Sequence, residues 1–294
     1  MALEPGIYLG LSDEEYFGDP AVSNSDIKLL LKSAMTYWHN SWMSPEHNPL
    51  RKQQVESDSM KRGKEFHMLL LEPEKFHEHY FIVPGGIHHP EKRMVKRSDY
   101  QDMKLAIELV RELEVEGYPK GFLFDPRFGY PEVVVVWDDP MTGIRCRAKH
   151  DFFCWEWSVD YKTTKDLGDD ALWQVIRRNR YSQQQVHYTR GRKVVRQMLK
   201  DGLATVHGEF SEKFVEEFLK ATDDFFPFLF QEAQRPFEIE LPMIDCDGSL
   251  ERAADDIDRA LGTYQSCMKK YGTQPWKDSK KRFRSFSSFY GFAN

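Results

Sequence analysis

The chain has 294 residues, of which 40% are hydrophobic and 14% aromatic, and its 41 basic and 47 acidic side chains leave a net charge of -6. That length and apolar fraction are enough to bury a real core and exclude a disordered chain. The balance of charge does not point to nucleic acid, although an enzyme that encloses a polyanion can be acidic outside and basic within, and acids that hold metal lower the total.

Cys146, Cys154, Cys246 and Cys267 form no Cys-X-X-Cys pair, so zinc and iron-sulfur sites are not expected. No apolar run approaches the roughly 18 residues of a membrane span, and the start, MALEPGIYLG, lacks a basic stretch followed by an apolar one. A cytoplasmic protein with no membrane contact is the expectation.

The opening predicts a short strand around Ile7 and Leu9, then a turn-rich acidic segment. Ser23 and Asp26 have capping-box spacing, and Ile27, Leu30, Leu31, Ala34 and Trp38 follow at helical intervals. The aromatic end of this helix, Tyr37, Trp38 and Trp42, suits packing more than base stacking. A second helix runs from Met60 to Leu71 and stops at Pro73. Gly63, His67 and Leu71 share one of its faces, and a helical glycine costs about 1 kcal/mol, so something must approach closely there.

A short strand at Tyr80 to Val83 leads to GGIHHPEKRMVKRS, expected to be an exposed basic loop, with Lys92 to Arg97 either meeting phosphate or simply solvated. Ser98 to Glu116 predicts a helix ended by Gly117.

From Tyr130 the pattern turns to strands. Glu132 stands at the mouth of a valine run, either as a site carboxylate or as a solvated edge acid. After the DDPMTG turn, Arg145, Arg147, Lys149 and Asp151 alternate with Ile144, Cys146, Ala148 and His150. In Val159-Asp160-Tyr161-Lys162-Thr163-Thr164, Asp160 and Lys162 share one face, while Trp157, Val159 and Tyr161 share the other. Two carboxylates and a lysine therefore converge. Hard divalent cations take such oxygens, and a lysine beside them can hold water and offset phosphate charge, which is the chemistry of phosphodiester hydrolysis. Taken alone, an Asp-X-Lys on a strand is far more often a pair of solvated ladder charges than a catalytic pair.

A helical region from Asp169 to Leu199 follows. Tyr181, Gln184 and Tyr188 fall on one face beside arginines such as Arg180, a face able to bind phosphate or to be plain polar surface. The remainder predicts a helix at Ser211 to Thr222, a strand pair around Phe225 to Phe230 and Phe237 to Leu241, and a helix from Ser249 to Tyr271. The basic, aromatic tail KDSKKRFRSFSSFYGF suits either single-strand contact or packing on a neighbouring subunit.

Taken jointly, PGIYLGLSDEEYFGDPAVSNSDI, GKEFHMLLLEPEKF, RCRAKHD, VDYKTT and RYSQQQVHY resemble, in order, the segments of RecE-type phage exonucleases, the exodeoxyribonuclease VIII group of the PD-(D/E)XK nuclease superfamily. His150 stands where that family often has proline. The resemblance implies an α/β fold with a mixed central sheet flanked by helices, formed by a single domain over 1–294. Its helical N-terminal part would span 1–120, its catalytic sheet and Gln-X-X-X-Tyr helix 121–200, and its last strands and helix 201–294. It also implies that Asp151 and Asp160 hold magnesium or manganese, with His67 and Glu132 completing the set, and that Lys162 orients and helps deprotonate water. Gln184 and Tyr188, with Tyr181 and Arg180, would position the strand. The implied activity is a 5'-to-3' exonuclease on linear double-stranded DNA that leaves a 3' single strand for a RecT-like annealing protein. Assembly as a ring-shaped homo-oligomer, a tetramer by preference, and a phage or prophage source follow from the same resemblance.

Overall fold

A computed structural model describes residues 2–45, 57–83, 92–244 and 248–277. Strand β1 (Gly6–Tyr8) leads to α1 (Asp13–Gly18), α2 (Asn24–Lys32) and α3 (Ala34–Asn40). Ser23 and Asp26 form the expected capping box. The helix expected to run on to Trp38 is instead broken at Ser33, whose hydroxyl accepts from Thr36 N–H to start α3. Tyr37 is buried against Tyr264 and Trp276, and the Trp38 indole donates to the Thr273 carbonyl, so both rings are packing groups.

Helix α4 (Asp58–Leu71) ends where Pro73 opens α5 (Pro73–His79), followed by β2 (Tyr80–Val83), β3 (Arg93–Lys96) and α6 (Arg97–Arg111). The basic loop expected at Lys92 to Arg97 is not a loop: β3 pairs in parallel with β2, buries Val95, and runs directly into α6. The rest of that expected loop, residues 84–91, lies outside the described residues, as do Cys246 and the basic tail, 278–294. Helix α6 stops at Arg111 rather than near Gly117. The chain doubles back there, and Gly121, in left-handed backbone, closes on the Arg111 carbonyl where any Cβ would collide.

The sheet is built from β4 (Gly129–Asp138), β5 (Arg145–Cys154) and β6 (Ser158–Thr164), antiparallel in sequence. Helices α7 (Asp169–Asn179) and α8 (Tyr181–Lys200) follow, separated at Arg180, which adopts left-handed backbone and so divides the helical region expected to be continuous. Then come β7 (Thr205–His207), α9 (Glu212–Lys220), β8 (Phe228–Glu232), β9 (Ile239–Glu240) and α10 (Ser249–Tyr271). The seven-stranded order is β7-β1-β4-β5-β6-β8-β9, with β1–β7 and β6–β8 parallel and the other pairs antiparallel.

Helices cover both faces of this mixed sheet. On one side Val133, Val135, Trp137, Ala148 and Phe153 pack with α2, α3, α8, α9 and α10. On the other, Phe152, Val159, Tyr161 and Leu229 pack with α4, α5 and α6, while Val134 and Val136 meet Tyr16 of α1. Gly191 lets α8 lie against β4, because a Cβ there would come within 2.6 Å of the Trp137 ring. Arg192 of α8 is buried and donates to the carbonyls of Cys154, Trp155 and Trp157, to the Ser158 hydroxyl and to Asp224, locking the helix to the far end of β5.

Candidate active site

The site forms where the ladder is interrupted. Strands β4 and β5 pair from Gly129↔Cys154 to Pro131↔Phe152 and resume at Val133↔His150, skipping Glu132 opposite Asp151. Glu132 has φ 55, a left-handed conformation that costs a non-glycine residue about 1–2 kcal/mol. The interruption also turns the pleat: His150 and Phe153, three residues apart, lie ring to ring at 5.0 Å, which a regular strand forbids. Glu132 and Asp151 are thereby set on the face that looks towards α4.

Strand β6 completes the fork. It pairs with β5 at Phe153↔Ser158 and Phe152↔Val159, after which the Tyr161 N–H donates to the Asp151 carboxylate at 2.8 Å. Helix α4 then presents His67, whose Nε2 lies 2.9 Å from Asp151 and whose Nδ1 lies 3.5 Å from Glu132. Gly63, one turn earlier, is the reason α4 comes so close: a Cβ there would sit 3.2 Å from the Thr163 hydroxyl of β6.

His67, Glu132 and Asp151 each offer one ligand atom, all within 4.8 Å of one another, the only such cluster of acids, histidines and cysteines among the described residues. Two carboxylates and one imidazole nitrogen suit a divalent cation that leaves its remaining positions to water. Asp160 is not in this triad. It is buried, ion-paired with Lys162, and accepts from the Gln184 side-chain amide at 2.5 Å. Gln184, expected to position the strand, donates its side-chain amide to this carboxylate.

The resting charges follow from this geometry. Burial opposes the charge on Asp151, but His67's charge and hydrogen bond, with Lys162 and the Tyr161 N–H, pull its pKa down to about 2. Burial and repulsion by Asp151 instead push Asp160 up to about 6, against the pull of Lys162. Burial works against protonation of His67, yet Asp151 and Glu132 outweigh it and raise its pKa to about 9. Lys162 is likewise held as an ammonium by Asp160 and Asp151 despite burial.

Two lysines that sequence patterning did not single out also belong here. Lys149 lies 2.5 Å from Glu132 and 2.9 Å from Asp13 of α1. The alternation of β5 already put it on the Asp151 face, and only its partner across the ladder was hidden. Lys28 of α2 is kept down at about 8 by burial, with the charge of Lys162 adding to the effect and that of Asp160 opposing it. No local motif marks Lys28; the docking of α2 on α8 through Gln183 and Asn24 brings it there.

Tyr181 lies beside the site, its ring centre 5.5 Å from the Lys162 ammonium. Arg180 is half exposed and paired with Asp256 at 3.1 Å. Tyr188 stacks edgewise on His150 at 4.8 Å and on Phe226 at 5.5 Å, so its ring belongs to the packing behind the acids. His150 is fully buried, and neither ring nitrogen has a hydrogen-bond partner among the described residues. Burial keeps it neutral. It fills an aromatic pocket where a proline is expected from the resemblance.

Among the described residues no helix is long and apolar enough to cross a membrane. No family model matches the chain, and no curated protein matches it. The fold is similar to the crystal structure, at 2.19 Å resolution, of a "putative exonuclease" from Eubacterium rectale, with 15% sequence identity, 88% of each chain covered and a TM-score of 0.52. At that identity the likeness is one of fold alone, and the fold has the expected α/β form, a mixed central sheet, here of seven strands, flanked by helices.

Proposed function

We propose that the chain is a metal-dependent exonuclease acting on linear double-stranded DNA from the 5' end. The observation that carries the reading is the convergence of His67, Glu132 and Asp151 beside Asp160 and Lys162 at a break in the sheet. His67, Glu132 and Asp151, with Asp160 beside them, would hold a divalent ion, which would supply Lewis-acid stabilisation of a phosphate and acidify bound water.

The chain's own residues do the rest. Lys162, charged and 23% exposed, faces the site with its ammonium able to hold the attacking water and offset negative charge growing on phosphate. Gln184 fixes the Asp160 carboxylate by donating to one oxygen and leaving the other to Lys162. The Tyr161 backbone N–H donates to Asp151, at the same oxygen that His67 meets. Tyr181 and Arg180 stand at the rim, where a strand entering the site would pass them.

The resemblance to RecE-type enzymes supports the finer reading: a product with 3' single-stranded ends, handed to a RecT-like annealing protein, made by a ring-shaped tetramer of phage origin. A ring would show as a native mass about four times that of the chain. The deciding experiment is digestion of a linear duplex labelled at either end, with magnesium and then with EDTA, beside a closed circle. Early release of the 5' label from linear DNA alone, abolished by EDTA, is the expected result. Cutting of the circle would make the protein an endonuclease, and no cutting with metal would overturn the reading.

A further inference from the structure

Helix α7 carries a surface that the site chemistry does not use. It buries Leu172 and Ile176 on Phe226, Phe228 and Phe230. Helical spacing then turns Trp173 and Arg177 outward as one row, with Gln174 and Arg178 beside it. Trp173 is 43% exposed. Arg177 and Arg178 are exposed too, and neither takes an ion pair among the described residues. The next arginines along the chain behave differently: Arg180 is met by Asp256 and Arg190 by Asp258, both acids of α10.

Basic residues in a last turn satisfy the helix dipole, which alone explains two arginines. It explains neither the indole one turn earlier nor the lack of acid partners. The helix also leads somewhere. It ends at Arg180, and the next residue, Tyr181, places its ring against Lys162. From Trp173 to Arg177 the helix rises about 6 Å, towards the end of α7 that is followed by Tyr181.

We propose that the outward face of α7, Trp173 with Arg177 and Arg178, is a track for single-stranded nucleic acid that feeds the cluster at Lys162. An indole stacks on a base from any sequence, and guanidinium groups follow the phosphates, the combination that binds single strands without sequence preference. A duplex hides the faces of its bases, so the indole selects an unpaired end. The proposal rests on the nuclease reading and names the form of strand that reaches the site.

The test measures binding and chemistry separately. Binding of a fluorescent oligothymidylate to the full chain in EDTA is compared for wild type, Trp173→Ala, Trp173→Phe and Arg177→Gln/Arg178→Gln. Hydrolysis of the p-nitrophenyl ester of thymidine 5'-phosphate, too small to reach α7, is followed with manganese. Trp173→Ala should weaken binding on the order of tenfold, with Trp173→Phe restoring most of it. The double arginine variant should lower the salt slope of binding by about 1.4, the value for two phosphates on a single strand. Ester hydrolysis and thermal melting should stay as in wild type. Absence of oligothymidylate binding by wild type, or unchanged binding by the variants, overturns the track. So does a loss confined to the arginine variant and equal on duplex and single strand, since that is bare phosphate attraction. If wild type binds and the variants weaken as expected while no ester is cleaved, the nuclease reading falls and the track stands.

Discussion

Lys162 sits between two acids of opposite temperament, Asp151 ionised far into acid and Asp160 reluctant to ionise until about pH 6. Lys162→Met removes the cation that reconciles them, and cleavage of linear duplex should fall by about 10²–10⁴-fold with the melting curve still cooperative, as followed by product release and circular dichroism. His67 makes a prediction about the metal-free protein. Its folded pKa, about 9, stands above its unfolded value near 6.5. The stability it contributes is fully present below about pH 6.5 and is lost as pH rises through about 9. Melting of EDTA-treated protein should therefore decline across that window, and His67→Asn should flatten the decline. Asp151 is the mirror case, contributing above about pH 4 and losing its contribution as pH falls towards about 2.

At the scale of the element, α4 owes its position to Gly63, which gives clearance to Thr163 of β6. A Gly63→Leu side chain would push α4 outward and carry His67, one turn on, away from Asp151. Cleavage should drop by about 10²-fold, the effect of roughly 1 Å of misplacement, while Gly63→Ala changes melting little because helix propensity offsets a tight contact. Such elements were legible because their signals are local. The capping box at Ser23, the Pro73 stop, the β4–β5 turn and the alternation through Asp160 and Lys162 are written in neighbouring residues. Breaks at Ser33 and Arg180 were not, since hydrophobic periodicity continues through both and only backbone geometry interrupts it. The partners of the acids were hidden for another reason. Gln184 lies 24 positions from Asp160, and Lys149 meets Glu132 only across the ladder, so neither contact leaves a trace in local spacing.

The whole molecule is held together around the site by groups far from it. Asp224 is buried with the guanidinium groups of both Arg192 and Arg196, and through them α8 is tied to the ends of β5 and α9. Asp224→Ala would leave two buried cations without their shared anion and should cost about 3–5 kcal/mol, read from urea melts. Because α8 also carries Gln184, the same variant should lower cleavage in whatever fraction remains folded. The acidic net charge is no obstacle to a polyanionic substrate on this plan, because Lys28, Lys149 and Lys162 stand beside the three acids while Asp255, Asp256 and Asp258 of α10 add to the negative total elsewhere.

Glu132 keeps a carboxylate in a backbone shape that glycine would hold with ease. A library screened only for survival of heating should thus drift to Glu132→Gly, a sturdier and idle protein, while the same library screened for digestion of DNA should hold glutamate and tolerate the lower melting point. Where those two populations of survivors part company, position by position, they would chart which residues this chain keeps for work and which it keeps for standing still.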